Sequence, residues 1–235
     1  MHTDRPGDAR RPGAPGLRVF PAATSRPHTV VLVLHGGKAR SQAPVRATQL
    51  AYQRMIPIAR IAHRAIAAGG AAVWLLRNRI RGWNGPAMDA VQDARWALSE
   101  IDRAHPWARV VLVGHSMGGR AALRLAGEPR VKAVCALAPW IESNEPNAQL
   151  EGRSVLLVHG DGDRITSARA CAEYADRAHR AGHSVRHVEI AGAGHAMLRR
   201  RAEWDDHVRR FVLATASTDA EGSTDPRPRS AEVDQ

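Results

Sequence analysis

Val110 to Gly119 reads V-V-L-V-G-H-S-M-G-G, and the meaning of this stretch decides how the whole chain is read. A run of β-branched and leucine residues that stops at Gly114 and gives way to a helix-compatible segment from Met117 is a buried strand feeding a helix. Ser116 falls at the turn between them. Gly114-His115-Ser116-Met117-Gly118 has the spacing G-x-S-x-G, which sets a serine on a sharp, strained strand-to-helix corner with its hydroxyl above the sheet. Glycines are needed at 114 and 118 because the backbone folds tightly on itself there and a Cβ would collide. Alone, the pattern also describes an ordinary turn, so the flanking chain has to decide.

Outward from this stretch, strands and helices alternate. Upstream, His28 to Leu34 (H-T-V-V-L-V-L) is a buried strand ending in His35-Gly36-Gly37, and Leu17 to Phe20 is a short edge strand. Val45 to about Ala68 has helical apolar spacing that Pro57 is expected to kink, and Ala71 to Leu76 is the next strand. Met88 to Ala104 is helical, with Asp89 and Asp93 near the positive end of its dipole. Downstream, strands are expected at Val131 to Ala138, Ser154 to Val158 and Ser184 to Ile190, with helices at Met117 to Ala126, Ala168 to Ala181 and Glu203 to Ala214. This order implies an α/β fold: a three-layer α/β/α architecture on a mostly parallel sheet of six or seven strands. Ligands in such sheets bind beyond the carboxyl ends of the strands.

Two more strand ends carry the groups that a nucleophilic serine needs. His159-Gly160-Asp161-Gly162-Asp163 follows one strand, and Ala191-Gly192-Ala193-Gly194-His195 follows the next. A serine needs a base to take its proton, and the base needs a carboxylate to fix its tautomer and stabilise the imidazolium. Ser116, His195 and Asp163 fill these roles, with Asp161 and Glu142 open as alternative acids. His35 and His115 are read as supporting groups packed near the site. His183 and His187 lack a third ligand, so no metal is expected.

With H-G-G at 35 to 37, G-H-S-M-G-G at 114 to 119, H-G-D-G-D at 159 to 163 and G-A-G-H at 192 to 195, the chain resembles an α/β-hydrolase over about residues 17 to 214. The resemblance implies Ser116 as nucleophile, His195 as general base and then acid, and Asp163 as the orienting acid. It also implies an oxyanion hole from the backbone N–H groups of Gly37 and Met117. Only Pro139 to Arg153 separates two strands at the place where relatives insert a cap, which is too short for one. The compact size is similar to the dienelactone hydrolases, but the nucleophile is serine rather than cysteine. Lys38 rather than a third glycine follows Gly37, unlike the H-G-G-G of lipase-like esterases. Lys38, Trp83 and Trp140 are candidates to line the pocket, with core packing the alternative for the tryptophans, and Lys38, Arg40, Arg79 and Arg81 fit either an anionic substrate or exposed solvated charge.

The 235 residues carry a formal net charge of +11, and Lys38 and Lys132 are the only lysines among 34 basic residues. The arginines are scattered rather than gathered into a stripe, so no nucleic-acid partner is expected. No apolar run approaches the ~18 residues of a membrane span, and the basic N-terminal stretch has no apolar segment behind it. The expectation is a cytoplasmic protein with a small-molecule substrate, no cofactor, and reduced Cys135 and Cys171. Residues 1–16 and 216–235 read as disordered tails around a domain at 17–215. The function expected is a carboxylic ester or thioester hydrolase. The alternatives are a peptidase or amidase, a cofactor-free perhydrolase, and a non-catalytic binding protein on the same scaffold.

Overall fold

A computed structural model describes residues 13–217, so most of both expected tails lies outside the described residues. Seven strands form one sheet: β1 (Gly16–Phe20), β2 (Thr29–Leu34), β3 (Ala71–Arg77), β4 (Arg109–His115), β5 (Val131–Leu137), β6 (Ser154–Gly160) and β7 (Val185–Ile190). Their spatial order is β1-β3-β2-β4-β5-β6-β7, and β1 on the edge is the antiparallel member. β4 is therefore central, paired in parallel with β2 and β5.

The helices are α1 (Leu50–Gln53), α2 (Met55–Ile66), α3 (Asp89–Ala104), α4 (Met117–Arg124), α5 (Ala168–Arg180) and α6 (Arg201–Ser217). Period-2 alternation divides the interior. Val30, Leu32 and Leu34 pack with α3, α4 and α5 on one face, while Val31 and Val33 pack with α2 and α6 on the other. Burial on both faces explains why the central strands read as continuous apolar runs. The result is the α/β-hydrolase fold. The strand-to-strand link at 139–153 carries only the short 3-10 turn Ala148–Leu150 and no cap. No helix among the described residues is long and apolar enough to cross a membrane.

The segment from Val45 to Ala68 differs from expectation. Helical structure begins only at Leu50 and is interrupted at Arg54, whose own backbone stays helical (φ −59°, ψ −31°), so the segment runs as α1 and α2. Pro57 has no N–H to give the carbonyl of Gln53, the last residue of α1, so the interruption falls where the proline withdraws a helical hydrogen bond. At the C-terminus α6 runs to Ser217, past Ala214 where the periodicity fades. Cys135 and Cys171 are both buried and unpaired by disulfide.

Candidate active site

Ser116 has φ 55° and ψ −118°, a conformation that a non-glycine residue adopts only under constraint. The constraint is visible on both sides. A Cβ on Gly114 would collide with the Gly118 carbonyl, and one on Gly118 would lie 2.6 Å from the Leu34 oxygen and 2.7 Å from that of His35. Backbone packed this closely leaves room for glycine alone. The Ser116 amide donates to Leu137 O at 3.0 Å, and its carbonyl accepts from Arg120 N at 3.1 Å and Trp140 N at 3.2 Å. The turn is thus pinned to β5 and α4, and the side chain stays at the carboxyl end of the sheet.

β6 and β7 bring the other two groups together. Gly162 N donates to Ala193 O at 3.0 Å, and Gly192 N donates to Asp161 Oδ1 at 2.6 Å, so the two loops are tied to each other. Across this junction His195 Nδ1 lies 2.8 Å from Asp163 Oδ2, with the carboxylate side chain fully buried. Asp163 Oδ1 accepts from the backbone N–H groups of Ile165 (2.7 Å) and Thr166 (3.0 Å). Burial pushes the Asp163 carboxyl up, but the N–H groups of Thr166 and Ile165, with His195, outweigh it, and the group lies below the usual carboxylate range. It is an anion at neutral pH, able to accept a proton-bearing Nδ1 and leave His195 Nε2 as a base.

The alternative acids have other duties. Asp161 holds Gly192, and Glu142 pairs with Arg120 Nη2 at 2.5 Å. His115, the residue before the serine, touches the histidine: its Nε2 is 2.9 Å from the His195 carbonyl, and the two rings are 4.8 Å apart. A carbonyl only accepts, so His115 Nε2–H donates. Burial, with nearby His195, lowers its pKa to about 3. His35 is likewise neutral, lowered to about 4 by burial. Its Nδ1 meets the Gly36 carbonyl at 2.7 Å, and its Nε2 accepts from Asn78 N at 3.1 Å. Both imidazoles hold backbone of the site in place.

Gly37 and Met117 face each other. A Cβ on Gly37 would collide with the Arg81 carbonyl and the Met117 methyl, and would lie 2.6 Å from Met117 Sδ. Exposed Lys38 lines a cavity that Gly36 and Gly37 also line. Trp83 is buried and Trp140 partly so; their rings meet edge-on with centroids 6.0 Å apart, and the Arg120 guanidinium lies over both, 4.4 and 4.5 Å from the centroids. Arg120 itself is buried and also bonds Glu145 at 2.6 Å.

Sequence reasoning missed one residue at the centre of the site. Thr166 Oγ1 lies 2.8 Å from Asp163 Oδ2 and 3.2 Å from both His195 Nδ1 and His159 Nε2. The signal was the spacing Asp163-x-x-Thr166, a turn in which the carboxylate caps the amide three residues on and draws that side chain inward.

The sequence model described as serine aminopeptidase, S33, matches residues 25–153, more than half of the chain. The chain belongs to this α/β-hydrolase family. The S33 match spans the serine turn and the Gly36-Gly37 loop and ends before Asp163 and His195, which fold into place on the remaining two strands. No curated protein matches the sequence. Among solved structures, the S33 chain is similar to an α/β serine hydrolase homologue from Coxiella burnetii, with 14% identity, a TM-score of 0.65, and 84% of this chain and 91% of that one covered. It is also similar to a serine hydrolase without a lid from Xanthomonas campestris, with 17% identity, a TM-score of 0.62, and 86% and 89% covered. A third is a propionate-bound esterase from Thermogutta terrifontis, with 15% identity, a TM-score of 0.63, and 86% and 88% covered. Likeness at these identities is likeness of fold.

Proposed function

We propose that this S33-family hydrolase cleaves a carboxylic ester or thioester of a small, cytoplasmic molecule through an acyl-enzyme, with Ser116 as nucleophile, His195 as base and Asp163 as orienting acid. The observation that carries this reading is the 2.8 Å His195 Nδ1 to Asp163 Oδ2 bond, made by the loops after β6 and β7 and joined to the strained serine turn through His115 Nε2, 2.9 Å from the His195 carbonyl. With Nδ1–H donated to the carboxylate, Nε2 takes the Ser116 proton as Oγ attacks the substrate carbonyl. The oxyanion then forms beside Gly37 and Met117. Neither backbone N–H has a backbone acceptor among the described residues, which supports their use as the two donors. The imidazolium, stabilised by Asp163, protonates the departing alkoxide or thiolate, and water attacks the acyl-serine by the same route. The Ser116 hydroxyl has no hydrogen-bond partner among the described residues, and such bonds often tighten only when substrate arrives.

A peptide or amide substrate is the second reading, and the aminopeptidase description of the family favours it. The cavity beside Gly37 argues against a free α-amine there, since Lys38 and Arg81 line it and no carboxylate does. The experiment is turnover of p-nitrophenyl butyrate against an aminoacyl p-nitroanilide by the full chain and by Ser116→Ala. Ester cleavage lost in the variant supports the reading. Anilide cleavage that exceeds ester cleavage overturns it.

A further inference from the structure

The two loops beside the serine turn carry three arginines with different fates. Arg40 is exposed. Arg79 is spent: its backbone N–H and its guanidinium bond Asp93, and its Nη2 lies 3.2 Å from Asp89. Arg81 has no carboxylate partner and no side-chain hydrogen bond among the described residues, yet its Nε is buried. Gln49 Nε2 is a second buried donor without an acceptor. Buried donors without an acceptor are uncommon in native proteins, and a bound ion or ligand is one way to satisfy them.

Both orphans line the same cavity, of about 270 Å³, with Lys38, Gly37, Leu50 and Val45, and no aspartate or glutamate is among its lining residues. The backbone of Arg81 is fixed against the Gly37 loop. Its carbonyl accepts from Lys38 N at 2.8 Å, its N–H donates to Ala43 O at 2.9 Å, and that carbonyl is what a Cβ on Gly37 would strike. The cavity is therefore lined by donors and positive charge from Arg81, Gln49 and Lys38, by apolar Leu50 and Val45, and by Gly37 of the loop beside the serine turn.

We infer that this cavity binds an anionic group of the substrate, a carboxylate or a phosphate, held by Arg81 and Gln49 with Lys38 at the rim. A guanidinium presents its N–H groups as a planar fork that matches either anion. Leu50 and Val45 would pack against the short apolar segment joining the anion to the scissile carbonyl. The inference rests on the ester hydrolase reading and specifies its substrate class: a half-ester or similar monoanion rather than a neutral ester.

The test compares kcat/KM for two anion-bearing esters with their neutral counterparts: monoethyl adipate against ethyl hexanoate, and 4-acetoxybutyrate against butyl acetate. These place the charge on the acyl side and on the alcohol side. At least one anion is expected to be preferred tenfold or more, and Arg81→Met is expected to reduce that preference about tenfold to a hundredfold. Gln49→Leu is expected to reduce it about threefold or more, while Arg40→Met leaves it in place. No preference in either pair, or equal losses in Arg81→Met and Arg40→Met, overturns the inference. Binding separates the subsite from the chemistry: Ser116→Ala is titrated calorimetrically with the two monoanions and with inorganic phosphate, with and without Arg81→Met. Arg81-dependent binding without any ester turnover supports the subsite and removes the ester reading. Ester turnover with no Arg81-dependent binding of any of the three does the reverse. Phosphate bound more tightly than either carboxylate identifies a phosphate-bearing substrate.

Discussion

Thr166 Oγ1 lies 2.8 Å from Asp163 Oδ2, the same carboxylate oxygen that faces His195 Nδ1 at 2.8 Å. One hydroxyl thus helps hold both the charge and the aim of the acid. Thr166→Val keeps the shape and removes the donor. The expected loss is about 1–2 kcal/mol of transition-state stabilisation, or roughly tenfold in kcat/KM, with Thr166→Ser recovering most of it. Unchanged kinetics in Thr166→Val would show that the backbone amides suffice to position Asp163.

The Gly37 backbone has no room for a side chain between Arg81 O and Met117. Gly37→Ala is expected to displace the loop, lowering kcat about a hundredfold or more and destabilising the fold by about 1–3 kcal/mol. Steady-state kinetics with thermal unfolding checks both. Wild-type kcat in a folded Gly37→Ala protein would remove Gly37 from the oxyanion site.

His35 and His115 are buried neutral, with pKa values lowered to about 4 and about 3. Between those values and the ordinary 6.5 the unfolded chain binds more protons than the folded one, so stability rises with pH across that window and is lost as pH falls. Each histidine contributes a slope approaching ~1.4 kcal/mol per pH unit. Asp163, held low, adds to the acid loss at lower pH, while Asp93 and Asp205, pushed up by burial, oppose it. Urea unfolding at pH 7.5 and pH 5 is expected to give a clearly lower stability at pH 5, and a flat profile would contradict it.

Arg120 is held by Trp83, Trp140, Glu142 and Glu145. Arg120→Met leaves the fully buried Glu145 with Arg124 alone. A destabilisation of about 3 kcal/mol is expected, with a change in tryptophan fluorescence. Stability within 0.5 kcal/mol of the parent, on the order of a neutral surface change, would show that Arg124 is sufficient.

These features mark where the sequence was legible and where it was not. The short continuous apolar runs of β2 and β4, bounded by turn residues and alternating with helical segments, disclosed the sheet because strands buried on both faces carry no polar positions between their ends. That Ser116 falls at a constrained turn and that Asp163 and His195 lie in the loops after β6 and β7 was readable, because local spacing places a residue close to a strand end. Thr166 and the Arg120 contacts were not readable, since they depend on which distant segments meet: Thr166 reaches His195 across 29 residues, and Arg120 on α4 reaches Trp83 in the loop after β3. Trp83 and Trp140 read as pocket walls because a tryptophan near a strand end gives no sign of what it covers. Arg81 and Arg79 look alike in R-N-R-I-R, and only the fold shows that Asp89 and Asp93 engage one and leave the other without a carboxylate.

The most direct test of the central claim is covalent labelling of the full chain with a fluorophosphonate, mapped by mass spectrometry. A single adduct on Ser116 is expected, and it disappears in His195→Ala, because Oγ attacks only when the imidazole takes its proton. A folded protein that stays unlabelled, or an adduct on another residue, would contradict it.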